Sequence, residues 1–234
     1  TTGASSAVVA AESSGRGFSC GLLAAWSRCR CLLHRVLRQK AAFTGACLSV
    51  LADAGCDAHG IDVNPHAVAQ ARRLVPAARV EQGWLEEAPW PAGHFDLAVL
   101  SDVIEHARDP WAFAARVADL LRPGGRMVVL TPDVGSLSAR AMGGFWSHLK
   151  VEHLVLFDRR GLSRLLERAG CRVVTLRPAA KPLSVDYAAR QFETFPLPLV
   201  TPALRHLRRL VPHRLAHRAV SLPMGEMLAV AEKL

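Results

Sequence analysis

The stretch FDLAVLSDVIEHARDP, residues 95–110, decides the fold. Its Leu97–Ser101 run is almost wholly apolar and bounded by polar residues, the pattern of a strand buried on both faces of a parallel sheet. Three ionisable side chains follow the strand: Asp102, Glu105 and His106. Asp109-Pro110 then supplies an N-cap and a first-turn proline for a new helix. Ligands of open α/β sheets bind outside the carboxyl ends of the strands, so this cluster lies where chemistry is expected.

Downstream, Trp111, Ala114, Val117, Leu120 and Leu121 recur at helical spacing, and Pro123-Gly124-Gly125 ends the helix. Arg126–Thr131 reads as the next buried strand. Pro132 to about Val155 is a loop rich in Gly, Ser and aromatic residues. Asp158 caps a helix that Gly170 stops, and Cys171–Arg177 is a strand. A short basic helix over Leu204–Val211 and a strand over Met227–Glu232 complete the chain. No helix immediately precedes that last strand, which suits an antiparallel strand at an edge.

Upstream, residues 47–55 form a helix ending at Gly55, and 58–62 a short strand ending in Asp62. Asn64-Pro65 starts another helix, and Arg79–Gln82 is a third strand. Residues 1–19 are small and polar and read as a disordered arm. Residues 20–43 are rich in Arg and free of acid, and read as an amphipathic helix with Leu22, Leu23, Trp26, Leu32, Leu33 and Leu37 partly buried. The domain is therefore expected over 44–234, behind an atypical basic segment, 1–43. Strands alternating with helices make the fold class α/β, Rossmann-like, with a mostly parallel sheet covered on both faces.

Half of the 234 residues are hydrophobic, enough for one sizeable core. No apolar run reaches the length of a membrane span. The net charge of +9 is uneven, with +5 in residues 1–43, and argues only weakly for a polyanionic partner. The basic segment 204–218 has no aromatic residue for stacking bases, which excludes a single-strand nucleic-acid site there. None of the six cysteines forms a CxxC pair, so reduced thiols and a cytoplasmic location are expected.

Four pieces together resemble the class I S-adenosylmethionine-dependent methyltransferases, most closely the small-molecule type related to the ubiquinone-biosynthesis O-methyltransferases. They are GIDVNP (60–65), FDLAVLSDVIEHARDP (95–110), LLRPGGRMVVLTPD (120–133) and HLVLFDRRGLSRLLERAGCRVV (153–174), in the family's order and spacing. The resemblance implies a seven-stranded sheet with S-adenosylmethionine across its carboxyl end. It implies that Asp62 holds the ribose hydroxyls, with Val63 beside it. A carboxylate ending the second strand suits two hydroxyl donors on physical grounds as well. Ser101, Asp102 and Val103 would line the methionine end of the cofactor. Glu105 and His106 match the active-site loop, and His153 a histidine bordering the substrate pocket.

Two departures stand out. The family places an acidic residue after the third strand to contact adenine. Here Gly83, Trp84 and Leu85 follow, leaving Trp84 to stack on adenine or backbone groups to hold it. The glycine-rich turn after the first strand is also missing. Arg35–Leu37 reads as a remnant of that strand, Ala41 and Phe43 stand where glycines are expected, and only Gly45 survives. A shifted reading frame or wrong gene start would give such a stretch, so residues before about 44 are expected not to be the family's own sequence.

The implied reaction is methyl transfer to a hydroxyl or amine of a small molecule, anionic or lipid-linked if the basic 204–218 segment takes part. His106 or His153 would act as base, with Glu105 orienting it and no metal required. The rival reading is a methyltransferase-like domain that does not bind the cofactor productively.

Overall fold

The computed structural model describes residues 30–34, 42–183, 201–203, 206, 211 and 220–234. They form seven strands and five α-helices in the order β1 (Arg30–His34), α1 (Ala42–Asp53), β2 (Asp57–Asp62), α2 (Pro65–Leu74), β3 (Arg79–Gln82), β4 (Phe95–Ser101), α3 (Pro110–Leu120), β5 (Leu121–Pro132), α4 (Leu137–Met142), α5 (Arg159–Arg168), β6 (Cys171–Leu183) and β7 (Val220–Lys233). One sheet contains all seven strands in the order β3-β2-β1-β4-β5-β7-β6. The first five run parallel; β7 is antiparallel to both of its neighbours.

The deciding strand behaves as its composition requires. Leu97 and Val99 face one core layer, with Leu48 and Leu51 of α1 and Val68 and Ala71 of α2. Ala98 and Leu100 face the other, with Phe113 and Val117 of α3 and Leu162, Leu165 and Leu166 of α5. A strand covered by helices on both faces has no polar side to show, and successive residues serve opposite cores. The helix starts follow local chemistry: Asn64 accepts from the His66 N–H, Asp109 from those of Trp111 and Ala112, and Asp158 from that of Gly161.

Three expectations are corrected. Residues 30–34 are a strand and not part of an amphipathic helix. They pair in parallel with β2 on one side and β4 on the other, with Cys31 and Leu32 fully buried in opposite core layers. The ladders on both flanks override a helical spacing that the leucines also satisfy. The sheet thus reaches into the basic segment set apart from the domain, and its first strand lies upstream of Arg35–Leu37. The last strand is antiparallel but not at the edge, because β7 pairs with β5 and β6 and leaves β6 outermost. It begins at Val220, well before Met227.

The Pro123-Gly124-Gly125 stop becomes an irregularity in the pairing of β4 with β5. Gly125 has a steric reason: an added Cβ would lie 2.8 Å from the Arg122 carbonyl oxygen and 3.2 Å from that of Asp96. The expected arm 1–19, residues 20–29 of the expected helix, residues 35–41 with the expected strand remnant, and most of 204–218 lie outside the described residues. No helix among the described residues is long and apolar enough to cross a membrane.

Candidate active site

Parallel β1, β2, β4 and β5 bring their carboxyl ends to one rim, and the candidate residues gather there. Asp62 is the last residue of β2 and only 2% exposed. Its Oδ1 accepts the Asn64 backbone N–H at 2.7 Å, while its buried Oδ2 has no hydrogen-bond partner. Burial raises its pKa, opposed by the Asn64 bond. Val63 beside it is half-buried.

At the end of β4, Ser101 is buried and its hydroxyl donates to Asp102 Oδ2 at 3.3 Å. Asp102 adopts φ 52°, the left-handed conformation that Asp tolerates better than most residues. This turns the chain out of the strand, Val103 packs inward, and one 3₁₀ turn over Ile104–His106 presents Glu105 and His106.

Glu105 is 1% exposed. Its Oε2 accepts the Thr131 hydroxyl at 2.9 Å; its buried Oε1 has no hydrogen-bond partner. Burial, with the Asp102 charge adding to it, pushes the carboxyl up to about 8, against the hydrogen bonds that lower it. The Glu105 carbonyl accepts from Leu154 N at 2.8 Å and Val155 N at 3.2 Å, which fastens the loop carrying His153 to this turn. His106 and His153 consequently meet edge to face, 4.8 Å between ring centroids. The Nδ1 of His106 lies 2.7 Å from the Glu152 carbonyl, which can only accept, so Nδ1 carries a proton, and in the neutral ring the lone pair is on Nε2. Burial, followed by the charges of His106 and Lys150, lowers the pKa of His153 against the His148 backbone and the Glu152 charge, which raise it; its Nδ1 has no hydrogen-bond partner.

Comparison with known proteins bears on the same residues. A sequence model of the methyltransferase domain family matches residues 42–176, more than half of the chain. The chain belongs to the methyltransferase domain family. One curated relative, from Mycolicibacterium smegmatis, is described as a probable S-adenosylmethionine-dependent methyltransferase. It is 32% identical over 124 residues, which cover 53% of this chain and 47% of the relative. The match spans less than half the length of the first curated relatives.

Among solved structures, a Burkholderia thailandensis N-methyltransferase with bound 1,6-didemethyltoxoflavin and S-adenosylhomocysteine has a TM-score of 0.52 at 15% identity, covering 88% of this chain and 72% of that one. The [4+2]-cyclase SpnF has a TM-score of 0.58 at 19% identity, covering 91% of this chain and 78% of that one. The expected Rossmann-like α/β fold and the expected cofactor class agree with these relatives. The methyltransferase fit for the cofactor is tested at Asp62, where a buried carboxylate oxygen lacking a donor suits a ribose hydroxyl.

The remaining expected positions vary. Gly45 lies in the first turn of α1. Trp84 is 56% exposed and Leu85 is fully buried in the core, so Leu85 offers the site only its backbone. The sequence implies no metal and leaves only Glu105 with His106 open as a ligand pair; in the fold Glu105, His106 and His153 have donor atoms within 4.8 Å of one another. It also missed Thr131, which anchors Glu105, and Glu226, 2% exposed and 4.0 Å from His148 Nε2. Glu226 had a signal: it is a single acid amid the apolar residues that open β7.

Proposed function

We propose that this methyltransferase transfers the methyl group of S-adenosylmethionine to a hydroxyl or amine of a small molecule. The observation that carries the reading is Asp62, a buried carboxylate with one oxygen lacking a donor, on the rim shared with Glu105. Asp62 would hold the ribose hydroxyls, with Val63 alongside, and Ser101, Asp102 and Val103 would border the methionine end. The Trp84 and Leu85 segment and Gly45 would close the adenine and turn sides. The cofactor supplies an already activated methyl group, so the chain's work is positioning and proton removal.

His106 and His153 would remove the acceptor's proton, with Glu105 bracing the turn that presents them. Leu149, Val151 and Leu154 are exposed in the loop that carries His148 and His153. They support an acceptor with an apolar part, and the basic 204–218 segment supports an anionic or lipid-linked one.

Calorimetric titration with S-adenosylmethionine and S-adenosylhomocysteine tests the reading. Binding on the order of micromolar, weakened about tenfold or more in Asp62→Ala, is expected from the loss of hydrogen bonds to a charged group. A folded protein that takes up neither compound overturns it.

A further inference from the structure

We propose that Glu105, His106 and His153 form a site for one first-row divalent cation. Three donor atoms, one carboxylate oxygen and two imidazole nitrogens, lie within 4.8 Å of one another. Zinc-type ions bind such donors at about 2.0–2.2 Å, so the three must draw together by an ångström or two, within reach of side-chain rotation.

The surroundings of each donor favour a cation over a closed hydrogen-bond network. Glu105 is 1% exposed, yet Oε1 has no hydrogen-bond partner, while Oε2 is fixed by the Thr131 hydroxyl. That leaves one anchored oxygen and one bare one. His106 donates Nδ1–H to the Glu152 carbonyl, which directs its Nε2 lone pair away from that bond. Metal-binding histidines are commonly oriented in this way, by an outer bond from the other ring nitrogen. His153 has a buried Nδ1 with no hydrogen-bond partner. Its position is imposed by the Leu154 and Val155 amides bonded to the Glu105 carbonyl, so the donors are tied together through the backbone. Two imidazoles with one carboxylate suit Zn²⁺, Mn²⁺, Fe²⁺ or Co²⁺ better than Mg²⁺ or Ca²⁺, which prefer oxygen ligands.

The binding itself stands on these side chains alone. Only its use in catalysis rests on the methyltransferase reading. A cation here would acidify an acceptor hydroxyl by charge, taking over from the imidazoles the task of freeing its oxygen.

The full chain, stripped with chelator and desalted, is titrated with Co²⁺ followed by visible absorption, and with Mn²⁺ followed by electron paramagnetic resonance. One ion per chain is expected. Glu105→Gln and His153→Ala should each weaken it at least about tenfold, and Thr131→Val, which removes the outer bond, by about 10–100-fold. His66→Ala, at an exposed histidine on α2, should leave it unchanged. Circular dichroism checks that each variant is folded.

No uptake by the folded chain, or uptake that these substitutions leave intact, overturns the proposal. A parallel titration with S-adenosylhomocysteine separates the two readings. Cofactor binding without ion binding sinks the cation site alone, and ion binding without cofactor binding sinks the methyltransferase proposal alone.

Discussion

Leu32→Ala tests the least expected element of the fold. Leu32 is fully buried on β1 and belongs to the core layer that includes Ile61, Phe95, Ala98 and Leu100. Truncation removes three carbon atoms from that layer, worth about 0.8 kcal/mol each in transfer free energy. The cavity adds a further term, about 24 cal/mol per Å³ of space that does not close. Closure is hindered here, because β1 is held by ladders to β2 and β4 on its two sides. The expected cost is therefore in the upper part of the usual range, about 3–5 kcal/mol. In a chain of this size that lowers the melting temperature by roughly 6–20 °C. Urea unfolding followed by far-ultraviolet circular dichroism reads the free energy directly. Leu137→Ala, at a side chain 82% exposed, serves as the comparison and should cost under about 0.5 kcal/mol. A loss below about 1 kcal/mol for Leu32→Ala would mean that residues 30–34 do not stand between β2 and β4, and the reasoning would fail.

Other outcomes follow from single contacts. Gly125→Ala should destabilise by about 1–3 kcal/mol, since its Cβ would meet two backbone carbonyls, and chemical denaturation would reveal an error if the variant matched the parent. Asp109→Ala deprives α3 of the acceptor for two N–H groups at 2.9 and 3.0 Å and should cost about 0.5–2 kcal/mol in the same assay. Asp62 has its pKa raised by burial, so its native form holds a proton more tightly than the unfolded chain does. Its contribution to stability is complete below the unfolded value near 3.8 and is lost as pH rises through the folded value. Asp62→Asn should accordingly gain on the parent as pH rises above about 4, and melting curves showing a constant gap across that window would contradict the sign.

The parts legible in the sequence were those fixed locally. Asp109-Pro110, Asn64-Pro65 and Asp158 each announce a helix through one side chain and a neighbouring amide, and all three caps form. The continuous apolar run of β4 needs only its own residues and two covering layers. By contrast, RCLLH at 30–34 contains nothing that distinguishes a strand from a turn of helix; its partners, 27 residues and more away, decide. The place of β7 depends likewise on which two strands leave a gap. At the site, Glu105-His106 was visible as an adjacent pair. Its meeting with His153 depends on a loop fastened by two amides, and Thr131 gave no sign, since its role exists only once β5 lies beside β4.

The interior position of β7 has a consequence for synthesis. The chain is made from its amino end, so β5 and β6 emerge before the strand that joins them. Roughly ninety residues separate the end of β5 from the start of β7, about 4–18 s at ordinary translation rates. During that interval β5 has one ladder edge open and β6 has no neighbour of its own. A nascent chain in this condition presents unpaired strand edges to anything nearby, including other copies. Chaperone occupancy on ribosomes should therefore persist until residues 220–233 clear the exit tunnel, and a ribosome stalled ahead of them would hold the chain in its most adhesive state.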